Sequence, residues 1–449
     1  MVQFPDEAIS NAEHNVKVES NHKKRKKIGR FLRILGPGIV TGAADDDPSG
    51  IATYSQAGSQ FGFQLPWTML FTFPLMTAVQ EACMRIGAVT GKGLAAIIRE
   101  HYSKKILFPV VLLVVCANTL NIGSDIGAMS ASTQLIIPGI SFPVLAIGFA
   151  FLMILLEVFI PYRTYIRLLK WLAMALFAYF ITAFLINVPW KEALLATLVP
   201  QVSFNTSFLY IIVGIFGTTI SPYLFFWQTS NVVEDEISDH RLLQKGGVPH
   251  LTKSYLKRLR IDTFVGMLFS NVAAWFIIIV GAVVLNHAGM TNINSAADAA
   301  KALEPLVHTF PNAGFLAKLI FAVGVLGIGL QSIPVLAGSS AYAVAETFSW
   351  REGLYHKFKQ SRNFYFIIII GTLVGLIFNF IGFDPIKALI FTAVFNGIAA
   401  VPLIYLIARV SSRKDVMGEH KSGGWSKLGL WTAFGVMGVF AIALLTSFL

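Results

Sequence analysis

Charged residues are scarce in this sequence, and their scarcity excludes a water-soluble protein. Only 13% of the 449 residues are charged, whereas 55% are hydrophobic and the mean hydropathy is +0.66. Too little charge remains to cover the surface of a soluble protein of this size. Glycine and phenylalanine, with 37 residues each, are typical of closely packed membrane helices. We therefore expect an all-α membrane protein.

Cysteine and core histidine are also nearly missing. The two cysteines, Cys83 and Cys116, lie in apolar stretches, so they predict no disulfide framework and no cysteine-based metal site. We expect both to be small core residues. Eight of the nine histidines fall in predicted loops or tails, and His287 falls at the outer end of a predicted span. No His-Glu-x-x-His pair, nucleophile elbow or glycine-rich phosphate loop occurs, so we do not expect an enzyme.

Long apolar segments dominate what the sequence does contain. Windows of about 20 mostly apolar residues, enough to cross ~30 Å of hydrocarbon, predict eleven membrane spans. Their expected limits are 36–58, 64–90, 106–135, 141–161, 168–188, 208–230, 262–287, 314–345, 363–383, 386–409 and 428–448.

The basic residues indicate how these spans are oriented. The first 30 residues are polar and end in a basic run at 22–27, so we expect a cytoplasmic tail rather than a signal peptide. With the N-terminus inside, 31 of the 35 lysines and arginines fall on inward segments, as the positive-inside rule requires. We therefore place the C-terminus outside, in a multi-pass protein of the cell membrane. The net charge of +11 then requires no nucleic-acid partner, although contact between the tail and anionic lipid remains an alternative.

Three regions follow from this topology. We expect a basic tail over 1–33, a transport domain over 34–410, and a cytoplasmic loop with the eleventh helix over 411–449. The long inward loop 231–260 carries charges of both signs, and we expect a solvated helix or loop there.

Two predicted spans carry helix-breaking residues near their middles. Residues 42–53 of the first span contain three carboxylates, a proline and two glycines, and residues 214–223 of the sixth contain two glycines and a proline. Proline removes a helix hydrogen bond and clashes with the preceding turn, so we expect both spans to unwind there. The freed carbonyl groups need protein, water or a ligand. Because the breaks lie five spans apart, they predict a five-plus-five inverted repeat with its binding site at the midplane.

The three carboxylates in the first break favour a cation. Carboxylates at this depth are costly unless paired or ligated, and the span offers no basic partner. Asp47, directly before Pro48, is best placed to face the unwound segment, whereas Asp45 and Asp46 project in other directions. Contact with a water-filled vestibule or with backbone donors is the alternative for one or two of them.

The residues of this break resemble a known family. Residues 47–58 are similar to the first-helix signature of the NRAMP divalent-metal transporters, in which Asp-Pro-Gly-Asn is followed by Ala-Thr and Gln-Ala-Gly. Similar matches occur at 80–95, at Asp262 with Asn271, and at 324–346, so that the resemblance covers about 34–410. It implies an amino-acid-transporter-like fold with broken helices 1 and 6.

The resemblance also implies a set of metal ligands. In the family these are an aspartate and an asparagine of the first helix, a carbonyl three residues before that aspartate, and a methionine with a nearby carbonyl in the sixth. By position they become Asp47, Gly50, the carbonyl of Ala44, Ser221 and the carbonyl of Thr218.

The departures from the family pattern concern the nature of the ion. Oxygen ligands without a thioether suit Mg²⁺, Ca²⁺ and Mn²⁺, and the small Gly50 and Ser221 leave room for water, which Mg²⁺ retains. The pattern is similar to the prokaryotic NRAMP-related magnesium transporters, which implies Mg²⁺, and also Mn²⁺, as the transported substrate without a cofactor. Nrat-type aluminium transporters lack the methionine too, so its loss alone does not decide the ion.

The remaining polar residues bear on coupling and on the ion pathway. The family's proton-coupling histidine position is Tyr223, the third span has one acid, Asp125, and span 363–383 has no charge, so we expect uncoupled alternating access. Candidate pathway residues are Asp46, Asp125, Tyr223, Asp262 and Asn396. The alternatives are a proton-coupled Mn²⁺/Fe²⁺ transporter and a sodium- or proton-coupled carrier of organic solutes. The sequence carries no signal for the oligomeric state.

Overall fold

The protein is described by a computed structural model that covers residues 45, 47–160, 177–238, 240–242, 246, 247, 249–382 and 384–448. All regular structure in these ranges is helical, as expected from the sequence. The α-helices of the first half are α1 (Pro48–Phe61), α2 (Trp67–Thr90), α3 (Leu94–His101), α4 (Lys104–Gln134), α5 (Phe142–Phe159), α6 (Phe177–Leu185) and α7 (Trp190–Leu198).

The second half continues in the same manner. Its α-helices are α8 (Thr206–Thr219), α9 (Pro222–Ser238), α10 (Lys253–Val280), α11 (Ala296–Ala300), α12 (Glu304–Val307), α13 (Ala313–Phe348), α14 (Arg362–Phe378), α15 (Pro385–Ser412), α16 (Lys414–Met417) and α17 (Gly424–Thr446). A π-helical segment, Gly281–Asn286, extends α10, and the short 3₁₀ helices are Gly62–Gln64, Lys301–Leu303, Phe358–Gln360 and Gly418–His420.

Seven helical segments of the described chain are long and apolar enough to cross a membrane. They are Lys104–Gln134, Phe142–Phe159, Thr206–Ser238, Lys253–Asn286, Ala313–Phe348, Pro385–Ser412 and Gly424–Thr446. Each of the eleven predicted spans overlaps a described helix, although 36–44 and 168–176 lie outside the described residues. The count of eleven stays a prediction, because the described parts of α1, α2, α6 and α14 fall short in length or apolarity.

The break in the sixth span separates two consecutive helices. Helix α8 ends at Thr219, Ile220 leaves the helical conformation with φ −121° and ψ 62°, and Pro222 begins α9. The predicted interruption is therefore present, and it is confined to Ile220 and Ser221. Both halves are almost fully buried, so the carbonyl groups freed by the break face protein rather than lipid.

The break in the first span ends earlier, on its C-terminal side, than the sequence suggested. Asp45 is helical, Asp47 is extended with φ −68° and ψ 170°, and Pro48 begins α1. We expected Ser49 and Gly50 to unwind, but both are helical. Proline at the first position of a helix lacks only a hydrogen bond that this position does not use, so it starts α1 instead of interrupting it.

Glycines bring the broken helices against their neighbours. A Cβ atom on Gly217 of α8 would lie 1.9 Å from the carbonyl oxygen of Ala393 in α15, and one on Gly397 would lie 2.3 Å from the carbonyl oxygen of Val213. On the other half of the break, a Cβ on Gly87 of α2 would lie 2.3 Å from the carbonyl oxygen of Thr229 in α9. Only glycine permits such backbone contact between membrane helices.

A buried carboxylate joins three helices near the end of α13. One oxygen of Glu346 accepts hydrogen bonds from the backbone N–H groups of Ala95 (2.9 Å) and Ala96 (3.2 Å) in the first turn of α3. Its other oxygen accepts from the Ser230 hydroxyl of α9 at 2.9 Å. A Cβ atom on Gly93 would overlap this carboxylate. Glu346 thus satisfies two of the free N–H groups of α3 and ties this helix to α9 and α13.

Two expectations about polar and cysteine residues were wrong. Cys83 is buried, but Cys116 is exposed on the outer face of α4. The acidic start of loop 231–260 is not simply solvated, because α9 continues to Ser238 and Glu236 is fully buried there. Its neighbour Glu234 accepts a hydrogen bond from the backbone N–H of Leu354 at 2.8 Å. Hydropathy cannot show such contacts, because their partners lie more than one hundred residues along the chain.

Candidate metal-binding site

Asp47 lies at the break before α1 with its carboxylate turned to the start of the helix. The carboxylate accepts hydrogen bonds from the hydroxyl of Ser49 at 2.6 Å and from the N–H of Gly50 at 2.8 Å, and Asp47 is 1% exposed. Both bonds go to one oxygen, Oδ1. An aspartate at this position stabilises the helix by capping and keeps a second oxygen for another ligand.

Gly50 lies beside this carboxylate and against the ring of Tyr54. A Cβ atom there would lie 3.7 Å from Oδ1 of Asp47 and 3.2 Å from Cε2 of Tyr54. An asparagine at this position, as in the family pattern, would crowd the ring of Tyr54. Tyr54 was not among the candidates from sequence, although its position one turn after Gly50 places it on the same face of α1.

At the break in the sixth span, two predicted ligands contact each other. The hydroxyl of Ser221 donates to the carbonyl oxygen of Thr218 at 2.8 Å and to that of Gly217 at 3.0 Å. The hydroxyl of Thr218 donates to the phenolic oxygen of Tyr54 at 3.0 Å, so α8 and α1 are linked directly. The structure thus brings the two broken helices together at a group of buried oxygen atoms.

Asp125 and Tyr223 complete the surroundings of Asp47. The hydroxyl of Ser332 in α13 donates to Asp125 at 2.7 Å, and Asp125 is fully buried on α4. Asp47 lies within electrostatic range of Asp125. The phenol of Tyr223 is buried, interacts with Ser221, and lies within electrostatic range of both carboxylates. Asp125 and Tyr223 therefore belong to the same polar region as Asp47.

The other acidic residue described in the break is held by a different helix. Asp45 accepts a hydrogen bond from the hydroxyl of Ser270 in α10 at 2.8 Å and is fully buried. The predicted ligand Ala44 and the predicted pathway residue Asp46 lie outside the described residues. The described geometry therefore includes Asp47, Gly50, Thr218 and Ser221 from the predicted ligand set.

The two remaining pathway candidates lie on neighbouring helices. Asp262 is buried on α10, about 12 Å along the helix axis from Ser270 at 1.5 Å per residue. Asn396 is buried on α15, and its side-chain oxygen has no hydrogen-bond partner within the described part of the chain. None of the hydrogen bonds described above joins either residue to Asp47. Both remain candidates for lining the ion pathway rather than for binding the ion directly.

Met129 lies near Pro48, and the sequence did not point to it as a candidate. A Cβ atom on Gly329 of α13 would lie 2.6 Å from the Met129 sulfur and 3.6 Å from the ring of Pro48. The thioether of Met129 and the residue that follows Asp47 thus border the same glycine. One signal was available, because Met129 lies four residues after Asp125 and shares its face of α4.

The arrangement offers an ion the carboxylate of Asp47, a second carboxylate, Asp125, in the same polar region, and several neutral oxygen atoms. Among the described residues, no group of three or more histidine, cysteine, aspartate or glutamate side chains is placed to hold a metal ion. A site of this type leaves most of the coordination shell to carbonyl oxygens, hydroxyls and water, which are ligands of hard cations.

Comparison with known proteins places this geometry in context. The model of the natural resistance-associated macrophage protein-like (Nramp) family matches residues 38–447. A divalent metal cation transporter, MntH, of Staphylococcus aureus is 24% identical over 455 residues, covering 98% of this chain and 97% of the relative.

Solved structures show the same fold. A manganese transporter of Eremococcus coleocola superposes with a TM-score of 0.72 at 17% identity, covering 92% of this chain and 86% of that chain. The nucleobase-cation-symport-1 transporter Mhp1 superposes with a TM-score of 0.56 at 15% identity, covering 92% and 90%. These likenesses confirm the predicted inverted-repeat fold with two broken helices.

Proposed function

Because this chain belongs to the Nramp family, we propose that it is a multi-pass membrane transporter of divalent metal cations, with Mg²⁺ as its main substrate. The observation that carries the proposal is the buried Asp47 carboxylate at the helix break before α1, a helix that the Thr218–Tyr54 hydrogen bond joins to the broken sixth span. The N-terminus lies in the cytoplasm and the C-terminus outside, as the distribution of basic residues indicates.

The choice of ion follows from ligand type and space. Gly50 and Ser221 stand where the family pattern has an asparagine and a methionine, so this part of the site supplies oxygen atoms alone. Mg²⁺ loses its water reluctantly and is usually held by one or two carboxylates together with several waters. Asp47, neutral oxygens and room for water fit a partly hydrated Mg²⁺ ion.

Mn²⁺ is the second candidate, and two observations favour it. The relatives described above are named as a divalent metal cation transporter and a manganese transporter. The thioether of Met129 borders Gly329 next to Pro48, and sulfur ligands favour transition metals over Mg²⁺. Mn²⁺ also binds most oxygen sites more tightly than Mg²⁺, so transport of Mg²⁺ depends on its greater abundance.

The proposed mechanism is uncoupled alternating access. The described hydrogen bond to Asp125 comes from the neutral hydroxyl of Ser332, and Tyr223 stands at the family's histidine position. Neither arrangement supplies an imidazole group or a carboxylate–arginine pair of the kind that a proton relay uses. A divalent ion gains about 4.6 kcal/mol per 100 mV, twice the value for a single charge, and this drives inward flux without protons.

Flux into proteoliposomes at a fixed membrane potential tests the proposal. We would record entry of Mg²⁺ and Mn²⁺ together with internal pH for the wild type, Asp47→Ala and Glu304→Gln. Glu304 is an exposed carboxylate of α12 and serves as the control. Mg²⁺ entry without acidification, lost in Asp47→Ala alone, supports uncoupled Mg²⁺ transport. Entry of Mn²⁺ alone with acidification would instead identify a proton-coupled transition-metal transporter.

A further inference from the structure

A cavity lies between α2, α10 and the start of α17, away from the candidate metal site. Its volume is about 790 Å³. It is bordered by α2 from Phe73 to Arg85, by α10 from Arg260 to Phe264, and by the segment from Lys421 to Thr432. The proposed transport of a metal ion gives this cavity no role.

One end of the cavity is basic. Arg85, Arg260 and Lys421 line it together with a single carboxylate, Glu81. Glu81 is bonded to both arginines, with 3.1 Å to Nε of Arg260, and the Ser426 hydroxyl donates to its second oxygen at 3.3 Å. Three cations thus face one carboxylate whose oxygens are already bonded. The excess charge is positive, and the side chain of Arg260 is 59% exposed.

The arginines keep donors for an additional ligand. A guanidinium group carries five N–H donors. The bonds described for Arg85 go to Glu81 and to the carbonyl oxygen of Lys421 (3.2 Å), and the bond described for Arg260 goes to Glu81. An anion at this end therefore binds without displacing Glu81.

The other end of the cavity is apolar. Phe73 and Arg85 are separated by about 18 Å along α2 at 1.5 Å per residue, so the polarity changes along the length of the helix. The apolar lining of this end consists of Phe73, Pro74, Leu75, Ala78 and Phe264, and Trp425 and Leu428 add apolar surface on α17 on either side of Ser426, toward the basic end. Trp425 is 89% exposed and Leu428 is 58% exposed. A basic end joined to an apolar wall fits a molecule with an anionic head and a hydrocarbon chain.

The start of α17 adds to the attraction for an anion. Gly423 precedes this 23-residue helix and gives it no side-chain cap, and Gly423, Gly424 and Ser426 all line the cavity. Uncapped N–H groups at the start of a helix favour negative charge. This feature supports the basic end formed by the arginines and does not replace it.

We propose that this cavity binds a membrane phospholipid with an anionic headgroup. Its phosphate lies at Arg85, Arg260 and Lys421, and its acyl chain lies along α2 and α17. The basic end belongs to segments predicted to face the cytoplasm, where membranes present anionic lipid. The positive charge of the basic end fits an anionic headgroup, and the change to an apolar wall along α2 fits an acyl chain.

Native mass spectrometry of the full chain tests the proposal. The purified protein is titrated with phosphatidylglycerol or with phosphatidylcholine of the same acyl chains. We expect the wild type to retain the anionic lipid preferentially and Arg260→Gln to lower this preference about fivefold, the contribution of one basic residue near an anionic surface. Arg260 is largely exposed, so the variant leaves the packed interior unchanged.

Two controls make the outcome decisive. Lys257→Gln removes an equal charge from an exposed position of α10 that does not line the cavity, and it should retain the wild-type preference. Inorganic phosphate alone should not displace the lipid, because it lacks the acyl chain. Equal retention of the two lipids, equal effects of the two substitutions, or displacement by phosphate would each overturn the proposal. None of these outcomes depends on which metal is transported.

Discussion

The hydroxyl of Ser221 donates to the carbonyl oxygen of Thr218 over 2.8 Å, so two residues predicted to face the ion bind each other. The same hydroxyl lies 3.0 Å from the carbonyl oxygen of Gly217, so its single proton is shared between the two carbonyl groups. Serine therefore satisfies the carbonyl groups that the break in the sixth span leaves free. A methionine at this position has no donor and would leave those carbonyls to the ion.

Replacement of Ser221 by methionine should shift the ion preference toward softer metals. A thioether is added and the hydroxyl donor is lost, and sulfur favours Cd²⁺ and Mn²⁺ over Mg²⁺. We expect Cd²⁺ to compete with Mg²⁺ uptake roughly tenfold more strongly than in the wild type, a change of about 1.4 kcal/mol. Competition assays in proteoliposomes measure this ratio.

Ser221→Ala separates the two effects of that substitution. It removes the hydroxyl without adding sulfur, so Cd²⁺ should gain no advantage. If Ser221→Ala raises Cd²⁺ competition as much as Ser221→Met does, the preference depends on the freed carbonyl groups and not on the thioether.

Asp47→Asn should strongly reduce transport while leaving the fold intact. Asparagine caps a helix about as well as aspartate, so the bonds to Ser49 and Gly50 can be kept while the negative charge is lost. We expect uptake to fall by about tenfold to a hundredfold, the effect of losing 1.5–3 kcal/mol of charge-assisted ligation. Uptake is compared at equal protein, and thermal unfolding confirms equal stability. Uptake close to that of the wild type would show that Asp47 is a capping residue only.

Met129→Leu tests whether a thioether contributes to ion selection. The substitution conserves volume, so packing against Gly329 should change by less than about 1.5 kcal/mol. If Mg²⁺ is the main substrate and its ligands are oxygens, Mg²⁺ uptake should stay within about twofold of the wild type. A selective loss of Mn²⁺ uptake would assign the sulfur of Met129 to the second candidate ion.

Glu346→Gln should destabilise the junction of α3, α9 and α13. An amide oxygen accepts more weakly than a carboxylate, and it loses the favourable charge at the N-terminus of α3. We expect a loss of about 1–3 kcal/mol in the free energy of unfolding. Thermal unfolding in detergent measures this loss as a lower midpoint.

Glu100→Gln is the matched control for that variant. Glu100 lies in the same helix α3 and pairs with Lys92 at 2.7 Å, but both side chains are partly exposed. A surface pair contributes about 0–1 kcal/mol, so this change should be small. Equal destabilisation by the two variants would contradict a special role for Glu346.

The broken helices were predictable because their causes are local. Pro222 and its neighbouring glycines define one break, and the acidic run before Pro48 defines the other. The extent of the first break was not predictable in the same way. Proline both interrupts helices and starts them, and only the conformation of Asp47 decides between the two for Pro48.

The contacts that shape the site depend on residues far apart in sequence. Glu346 binds Ala95 across 251 positions, and Ser332 binds Asp125 across 207 positions. No periodicity in a single helix records such a partner. The close approach of Met129 to Gly329 also depends on how α4 packs against α13, and local sequence does not specify that packing.

The glycine contacts between α8 and α15 restrict how the transporter can move. With the backbones in contact at Gly217 and Gly397, sliding or rotating one helix by a fraction of a turn would drive a side chain into the other backbone. We therefore expect the first half of the broken sixth span to move together with α15. An opening on that side of the membrane would then displace two helices rather than one, and the non-helical link at Ile220 and Ser221 is where α8 can change its angle to α9.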